Sequence, residues 1–362
     1  MCICIYGGFM AGNTLFNSIL IDKIRFNVPK DNVDDEIIEH YKNIMLKYFP
    51  QNAFKITVSR GRLNVEFTPT RYKMNNIEIN DTNLIMPYEK ELLNLFEELG
   101  FYKLDSELLQ EFTVVKLHLT KNINTENQPA RYIDMLGNRS YKLGLQPLFN
   151  SSTSANKTLT LSTLKKNSEK DDTMGNKHII FYDKVQELRD KAGINEVYLR
   201  LAPKDKNQYL KAYQAEANCL LLQRLNILRC ELQYSHSHKL KILEGFLLKT
   251  NNANKLHLAT LLDLLKEQKL YSALNDFYTQ ELRKYVFFED LSEDVKLSGL
   301  ERQFADLLDG VSATWLLNHY ENSQRKSLQK VIRKIQRVST SAAYNELYEK
   351  LSIIPLETQN SS

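Results

Sequence analysis

Four segments of this chain alternate apolar and polar side chains, and this alternation constrains its fold more than any other feature. In the first segment, Leu63, Val65 and Phe67 point one way and the polar residues between them point the other. Side chains alternate between faces along a strand, so each segment predicts a strand with one buried face and one polar face. An antiparallel sheet with helices on a single side has this pattern, and the sequence therefore predicts an α+β fold. The segments are 62–68, 112–120, 176–184 and 228–234.

The second segment carries a specific expectation for its two faces. Alternation places Val115, Leu117 and Leu119 on the apolar face, opposite the polar face that contains His118. The other predicted strands are 23–29, the hairpin 54–69 and the stretch TLTLST, and helices are predicted over 34–49, 88–99 and about 126–136.

Strand patterns stop at about residue 240, and helical periodicity continues beyond it. This shift predicts an all-helical C-terminal domain after the sheet domain. The predicted divisions are an N-terminal extension over 1–17, a domain of mixed strands and helices over 18–240, a helical domain over 241–355 and a disordered tail over 356–362.

Composition limits the setting in which the chain works. Its 362 residues suit two domains, and the net charge of +4 is too small to indicate a nucleic-acid partner by itself. The four cysteines form no CxxC pair, so free thiols in a reducing cytoplasm are expected. No apolar run approaches 18 residues, so no membrane association is expected.

The polar faces of the four strands admit two interpretations. They could simply meet water, which is the commoner role of a polar face. Alternatively, they could form one platform that brings functional side chains together, although alternation does not show that the strands are neighbours. The platform would carry Tyr182, Lys184, His118, His178, Glu66 and Glu231.

Such a platform would suit phosphodiester chemistry. A tyrosine can attack a phosphodiester and hold the broken end as an ester, but its pKa near 10 means that it needs a cation or metal nearby. Carboxylates and an imidazole, such as Glu66, Glu231 and His118, could hold Mg²⁺ or Mn²⁺ against the phosphate. Lys184 could offset the charge that develops there.

Five stretches in order give the chain a family resemblance: IDKIRFNVP, RLNVEFTPTR, VVKLHLT, HIIFYDKVQEL and LNILRCELQY. They resemble the replication initiators of filamentous phages and related plasmids, which are rolling-circle nicking enzymes. The likeness covers roughly 18–240. Ile21 and Asp22 match the opening of the family domain, and Tyr182 and Lys184 match its Tyr-x-Lys segment.

The resemblance implies a function. Tyr182 would nick one strand at a double-stranded phage or plasmid origin and become joined to the 5′ phosphate, and Lys184 would support that phosphate. Glu66, His118 and Glu231 would hold Mg²⁺ or Mn²⁺. Its implied partners are origin DNA, the nicked single strand, and the host helicase and DNA polymerase, in the cytoplasm of a bacterial host.

One strand departs from the family pattern. Where the family normally reads Arg-Ile-Asp, this chain reads Lys116-Leu117-His118. Histidine can still ligate a divalent ion, so activity could survive with a different metal preference. Alternatively, the ligand is lost and the activity is impaired.

Basic residues concentrate in two places outside these strands. The helical stretch 321–340 combines an apolar stripe with an excess of basic residues, as expected either of a solvated amphipathic helix or of a helix that contacts DNA phosphates. The loop 157–177 is a second candidate contact. The candidate DNA-binding residues are Lys165, Lys166, Arg325, Lys326, Lys330, Arg333, Lys334 and Arg337.

Two rival functions remain open at this stage. A non-catalytic origin-binding protein that recruits the host replisome would need neither Tyr182 nor a metal. A relaxase or transposase would use the same tyrosine chemistry, but such enzymes usually place two histidines around a hydrophobic residue on a core strand. His236 and His238 are spaced like a metal pair but lack further ligands at a usual spacing, which favours a loop.

Overall fold

The structure is a computed structural model that describes twelve segments of the chain. These are residues 19–47, 53–69, 89–139, 145–150, 158–163, 177–187, 226–234, 237–250, 255–285, 298–310, 321–336 and 342–352. The predicted extension over 1–17 and the predicted tail over 356–362 lie outside these residues.

Among the described residues, eight strands form one antiparallel sheet, in the order β2-β3-β1-β4-β8-β7-β6-β5. The predicted α+β class with an antiparallel sheet is confirmed. One strand, Leu145–Asn150, was not predicted, because Pro147 interrupts its pattern and strand interiors usually exclude proline. The strands are β1 (Leu20–Pro29), β2 (Phe54–Ser59), β3 (Arg62–Phe67), β4 (Thr113–Asn124), β5 (Leu145–Asn150), β6 (Thr158–Thr163), β7 (Lys177–Asp183) and β8 (Ile227–Tyr234).

A tight turn joins β2 to β3 and fixes the pairing of these strands. Arg60 and Gly61 both have positive φ, at 51° and 68°. Two-residue turns with positive φ match the right-handed twist of the flanking strands and therefore favour a hairpin. The turn sets the register in which Lys55 lies opposite Glu66.

Two irregularities interrupt the pairing of β1 with β4. Ile21 pairs with Leu119 and Lys23 pairs with His118, so Asp22 is an extra residue between them. A second shift lies between the pairs Arg25–Lys116 and Phe26–Val114, which leaves Val115 without a partner on β1. Bulges of this kind re-aim side chains along a strand.

The second shift corrects the predicted apolar face of β4. Val114 is fully buried in the core, whereas Val115 is only partly buried and does not belong to the core cluster. Strict alternation had assigned Val115 to that face. The extra residue changes the phase of the strand, so Leu117 and Leu119 keep their predicted places while Val114 takes the place of Val115.

The helices lie between and after the strands, and the predicted helices are found within a few residues of their expected ends. They are α1 (Asp35–Lys47), α2 (Glu89–Glu98), α3 (Ser106–Glu111), α4 (Pro129–Arg139), α5 (Ser237–Leu248), α6 (Leu258–Lys266), α7 (Leu270–Tyr285), α8 (Gly299–Gly310), α9 (Asn322–Gln336) and α10 (Ala342–Ser352). Among the described residues, no helix is both long and apolar enough to cross a bilayer.

One hydrophobic core joins the helices to the apolar face of the sheet. Its buried side chains extend from Ile19 to Leu351 and include residues of the helices that follow residue 240. On that face, the Tyr278 hydroxyl of α7 donates to the Cys230 carbonyl at 2.9 Å. The buried Lys121 ammonium donates to the Leu351 carbonyl of α10, also at 2.9 Å. The polar face is thus the side of the sheet on which functional side chains can gather, and the predicted domain boundary near 240 stays a prediction.

Candidate functional site

Tyr182 lies at the end of β7, one residue before the chain turns. The side chain of Asp183 accepts a hydrogen bond from the backbone N–H of Gln186 at 3.0 Å, and a helical turn covers residues 184–187. Aspartate commonly caps a helix in this way. The cap ends the strand at Asp183, the residue after Tyr182, so the phenol lies on the polar face at the end of β7.

The Tyr182 hydroxyl donates a hydrogen bond to a carboxylate. Its partner is Glu231 Oε1 at 2.5 Å, and Gln233 Nε2 donates to the other oxygen of this carboxylate at 2.8 Å. Pairing of β7 with β8 places Tyr182 opposite Arg229, two residues before Glu231. A carboxylate so close to the phenol is positioned to accept its proton.

Three side chains form a cluster that could hold a divalent metal ion. One ligand atom each from Asp22, His118 and Glu231 lies within 4.8 Å of the other two. His118 comes from β4 and Glu231 from its neighbour β8. Asp22 is the extra residue of the β1 bulge, and it joins the cluster while Ile21 and Ile24 on either side remain buried in the core.

Arg229 connects the cluster to the tyrosine. Its guanidinium donates to Asp22 Oδ1, its Nε lies 2.9 Å from Glu231 Oε1, and its Cζ lies 6.0 Å from the centre of the Tyr182 ring. The residue is only 4% exposed. A buried cation that contacts two carboxylates holds both side chains in place.

Burial determines the protonation states at the site. It lowers the pKa of His118 to about 3, with neighbouring charges acting in both directions, so the imidazole is neutral at physiological pH. Its Nε2 is buried and has no hydrogen-bond partner among the described residues. Burial also raises the pKa of Tyr182 well above its usual value, although Arg229 opposes the shift. The phenol is therefore protonated at neutral pH and needs help to become a nucleophile.

The donor set fits a divalent metal ion. Asp22 and Glu231 offer carboxylate oxygens, and neutral His118 offers a ring nitrogen, with its Nε2 buried and without a hydrogen-bond partner among the described residues. Carboxylates suit Mg²⁺ and Mn²⁺, while the imidazole favours the transition metal of the two.

Two predicted site residues have other partners. Glu66 is not part of the cluster, because its carboxylate is bound by the cations of β1 and β4: Arg25 Nε donates to it at 2.6 Å, and Lys23 and Lys116 lie 3.9 and 3.8 Å away. Lys184 donates to Glu187 Oε2 at 2.6 Å and is mostly buried. It holds Glu187, a carboxylate whose charge acts on Tyr182.

The predicted basic helix is present as α9, and its apolar stripe is buried at Leu328, Ile332 and Ile335. Lys326 and Lys330 are exposed, Arg325 is partly exposed, and Lys334 donates to Glu301 at 2.6 Å. The structure does not describe the side chains of the remaining candidates, which are Lys165, Lys166, Arg333, Arg337, His178, His236 and His238.

Sequence reasoning missed two residues of the site, Asp22 and Arg229. Both residues lie in the stretches that carry the family resemblance, and this position is the signal that could have identified them as site residues. Alternation assigns Asp22 to the same face as Ile24, and only the bulge reverses this. Alternation along the predicted strand 228–234 places Arg229 on the polar face with Glu231, but its carboxylate partners come from sequence positions 22 and 231 and depend on the strand order.

Comparison of the chain with protein-family models, curated proteins and solved structures returned no match.

Proposed function

We propose that this chain is a metal-dependent DNA nicking and joining enzyme that uses Tyr182 as its nucleophile and initiates rolling-circle replication. The observation that carries the proposal is the hydrogen bond from the Tyr182 hydroxyl to Glu231, a member of the Asp22–His118–Glu231 cluster. A nucleophile, a proton acceptor and a candidate metal site therefore share one carboxylate.

The chain's own residues account for the covalent step. The Tyr182 oxygen attacks the phosphorus of one phosphodiester while its proton passes to Glu231, and the bond from phosphorus to the 3′ oxygen breaks. The 3′ oxygen takes up a proton and leaves as a hydroxyl, and the 5′ phosphate remains joined to Tyr182. Because the phosphotyrosine is itself a diester, a later 3′ hydroxyl can reverse the reaction and rejoin the strand.

Charge balance supports a metal in this step. The carboxylates of Asp22, Glu231 and Glu187 face the cations Arg229 and Lys184, which leaves one net negative charge around a phenol that must approach a phosphate. A divalent ion held by Asp22, His118 and Glu231 would reverse that charge, polarise the phosphoryl oxygen and stabilise the leaving oxygen. Arg229, fixed beside the phenol, would stabilise the developing tyrosinate.

The role in rolling-circle initiation rests on the resemblance of five ordered stretches to phage and plasmid initiators. All five stretches form strands of the sheet (β1, β3, β4, β7 and β8), and four of them supply Tyr182 and the three cluster residues. In this role the freed 3′ hydroxyl would prime synthesis by the host polymerase, with a host helicase opening the duplex. Lys326 and Lys330, exposed on α9, would contact the origin duplex.

The direct test is a nicking assay on supercoiled plasmid that carries the DNA flanking this gene. Wild type, Tyr182→Phe and Tyr41→Phe would each be incubated with Mg²⁺, Mn²⁺ or EDTA. Tyr41 is a suitable control because its hydroxyl is fully buried and has no hydrogen-bond partner among the described residues. Wild type and Tyr41→Phe should give open circles with protein on the 5′ end, only with metal.

Tyr182→Phe should bind the same DNA and leave it intact. If Tyr182→Phe nicks as well as wild type, the tyrosine is not the nucleophile. If all three proteins bind the DNA and none nicks it with either metal, the chain is a non-catalytic origin-binding protein.

A further inference from the structure

A row of charged side chains crosses the polar face on the side of the cluster away from Tyr182. Strand pairing places Lys55 opposite Glu66, Glu66 opposite Arg25, and Arg25 opposite Lys116, so four neighbouring strands contribute one residue each. We call these four residues the cationic row. Lys23, two residues before Arg25 on β1, adds a further cation 3.9 Å from Glu66.

The cationic row carries more positive charge than its carboxylate can neutralise. Glu66 is the acceptor for Arg25 and lies within 4 Å of Lys23 and Lys116, and Lys55 faces it across the β2–β3 hairpin. Like charges directly opposite each other on neighbouring strands, such as Arg25 and Lys116, are destabilising. A bound anion would relieve this repulsion.

An open cavity of about 280 Å³ lies at the outer end of the cationic row. Its hydroxyl and amide groups supply neutral hydrogen-bond donors beside two cations. Such a mixture of Arg, Lys, hydroxyl and amide donors is typical of contacts to nucleic-acid phosphates. The cavity is lined by Arg25, Lys55, Thr57, Ser59, Asn64 and Glu66.

The cationic row is continuous with the Asp22–His118–Glu231 cluster. Lys23 follows Asp22 on β1 and pairs with His118 on β4, and its ammonium reaches towards Glu66. Since neighbouring strands lie about 4.8 Å apart, Lys55 and Lys116 are separated by roughly 14 Å across three strand intervals. A line of cations with one residue on each strand suits a single nucleic-acid strand that runs across the sheet.

We propose that the cationic row binds the phosphates of single-stranded DNA next to the bond that Tyr182 attacks. This inference rests on the proposed function and extends it, because it names the surface that holds the substrate strand. The contacts are to phosphates, so they carry no base specificity and act equally on any sequence. Glu66 orients Arg25 and Lys116 in the absence of DNA.

The test is the salt dependence of binding to a fluorescent single-stranded oligonucleotide, with all variants made in a Tyr182→Phe protein so that no covalent joining occurs. Lys55→Gln and Arg25→Gln should each reduce the slope of log affinity against log salt by about 0.7, and the double variant by about 1.4. Lys42→Gln is the charge-matched control, because Lys42 is an exposed lysine on α1 that pairs with Glu39. It should leave the slope unchanged.

In the double variant, the affinities for an oligonucleotide of the flanking sequence and for oligothymidine should fall by the same factor. The affinity for the matched duplex should fall less than either. The proposal is overturned if the double variant keeps the slope of the Lys42→Gln control, or if only duplex binding weakens. These outcomes are independent of the nicking assay. A protein that does not nick but shows the slope change would contradict the proposed function and keep this inference, and the reverse result would contradict the inference alone.

Discussion

Two regions of one sheet face use charge in opposite ways. Around Tyr182, the cation Arg229 is mostly buried between the carboxylates of Asp22 and Glu231, which leaves these three residues with one net negative charge. Three strands away, Arg25 is 39% exposed and shares a single carboxylate with two lysines. Burial makes the first set geometrically fixed, since a displaced charge would lose its partner in a low dielectric. Exposure leaves the second set able to adjust to a ligand.

The largest difference between the two regions should appear in stability. Arg229→Met leaves Asp22 and Glu231 facing each other without their cation and should cost about 3–5 kcal/mol of unfolding free energy. Arg25→Met removes a partly exposed charge and should cost less than about 1 kcal/mol. Urea denaturation of both variants measures the contrast.

Mn²⁺ should restore part of the stability lost in Arg229→Met, because an ion that binds only the folded chain shifts the equilibrium towards it. The same addition should not help Arg25→Met beyond its effect on wild type. Equal losses in the two variants would show that burial does not separate the regions.

A second buried charge, on the other face of β4, tests whether burial alone produces this behaviour. Burial lowers the pKa of Lys121 from 10.5 to about 7, although nearby Cys230 and Asp276 oppose the shift. The unfolded chain therefore binds the proton more tightly than the folded chain between these values. The stability contributed by neutral Lys121 is present at high pH and is lost as pH falls from about 10.5 through about 7.

Between pH 7 and pH 9, wild type should gain on the order of 2 kcal/mol relative to Lys121→Met. Urea denaturation at several pH values within this window measures the difference between the two proteins, which cancels the titration of other groups. Parallel pH profiles would contradict a buried, destabilised ammonium at this position.

The metal preference of the buried region is the third test. His118→Asp replaces the neutral imidazole with a hard oxygen ligand and should move the affinity ratio towards Mg²⁺ and away from Mn²⁺ by at least about 10-fold. Calorimetric titration of each ion into wild type and variant measures the ratio. His40→Asp, at an exposed position on α1, is the matched control and should leave the ratio unchanged.

The smallest effect is expected from Glu66→Gln, which sharpens the boundary between the two regions. The change frees Arg25, Lys23 and Lys116 from their carboxylate, so the affinity for single-stranded DNA should rise severalfold and its salt dependence should steepen. The Mn²⁺ affinity should not change. A clear loss of Mn²⁺ affinity would show that Glu66 is a metal ligand, as the sequence predicted.

Local patterns in the sequence were sufficient to predict most of the sheet. Alternation identified β3, β4, β7 and β8, and the pattern of β1 was visible because Ile24, Phe26 and Val28 are separated by polar residues. The strand β5 was not predicted, because Pro147 interrupts its strand pattern. The exchange of Val114 for Val115 could not be predicted, since a bulge depends on the partner strand and not on the strand's own residues.

The candidate site was predictable only in its parts. Tyr182, His118 and Glu231 were identified as polar-face residues, and the strand order β4-β8-β7 brings them together. The same order places Glu66 beside Arg25 and Lys116, away from Glu231, and no single-strand pattern contains this information. Residue types thus indicated the chemistry of the site, and long-range strand pairing decided which residues belong to it.

The bulge at Asp22 makes the metal cluster depend on the length of β1 as well as on its residues. Deleting one residue between Ile21 and Ile24 would close the ladder with β4 and remove the extra position from which a carboxylate reaches His118. A three-nucleotide insertion or deletion in the gene could therefore create or remove a ligand without changing any other residue. Among chains that share this sheet, the gaps in an alignment would be as informative about metal binding as the substitutions.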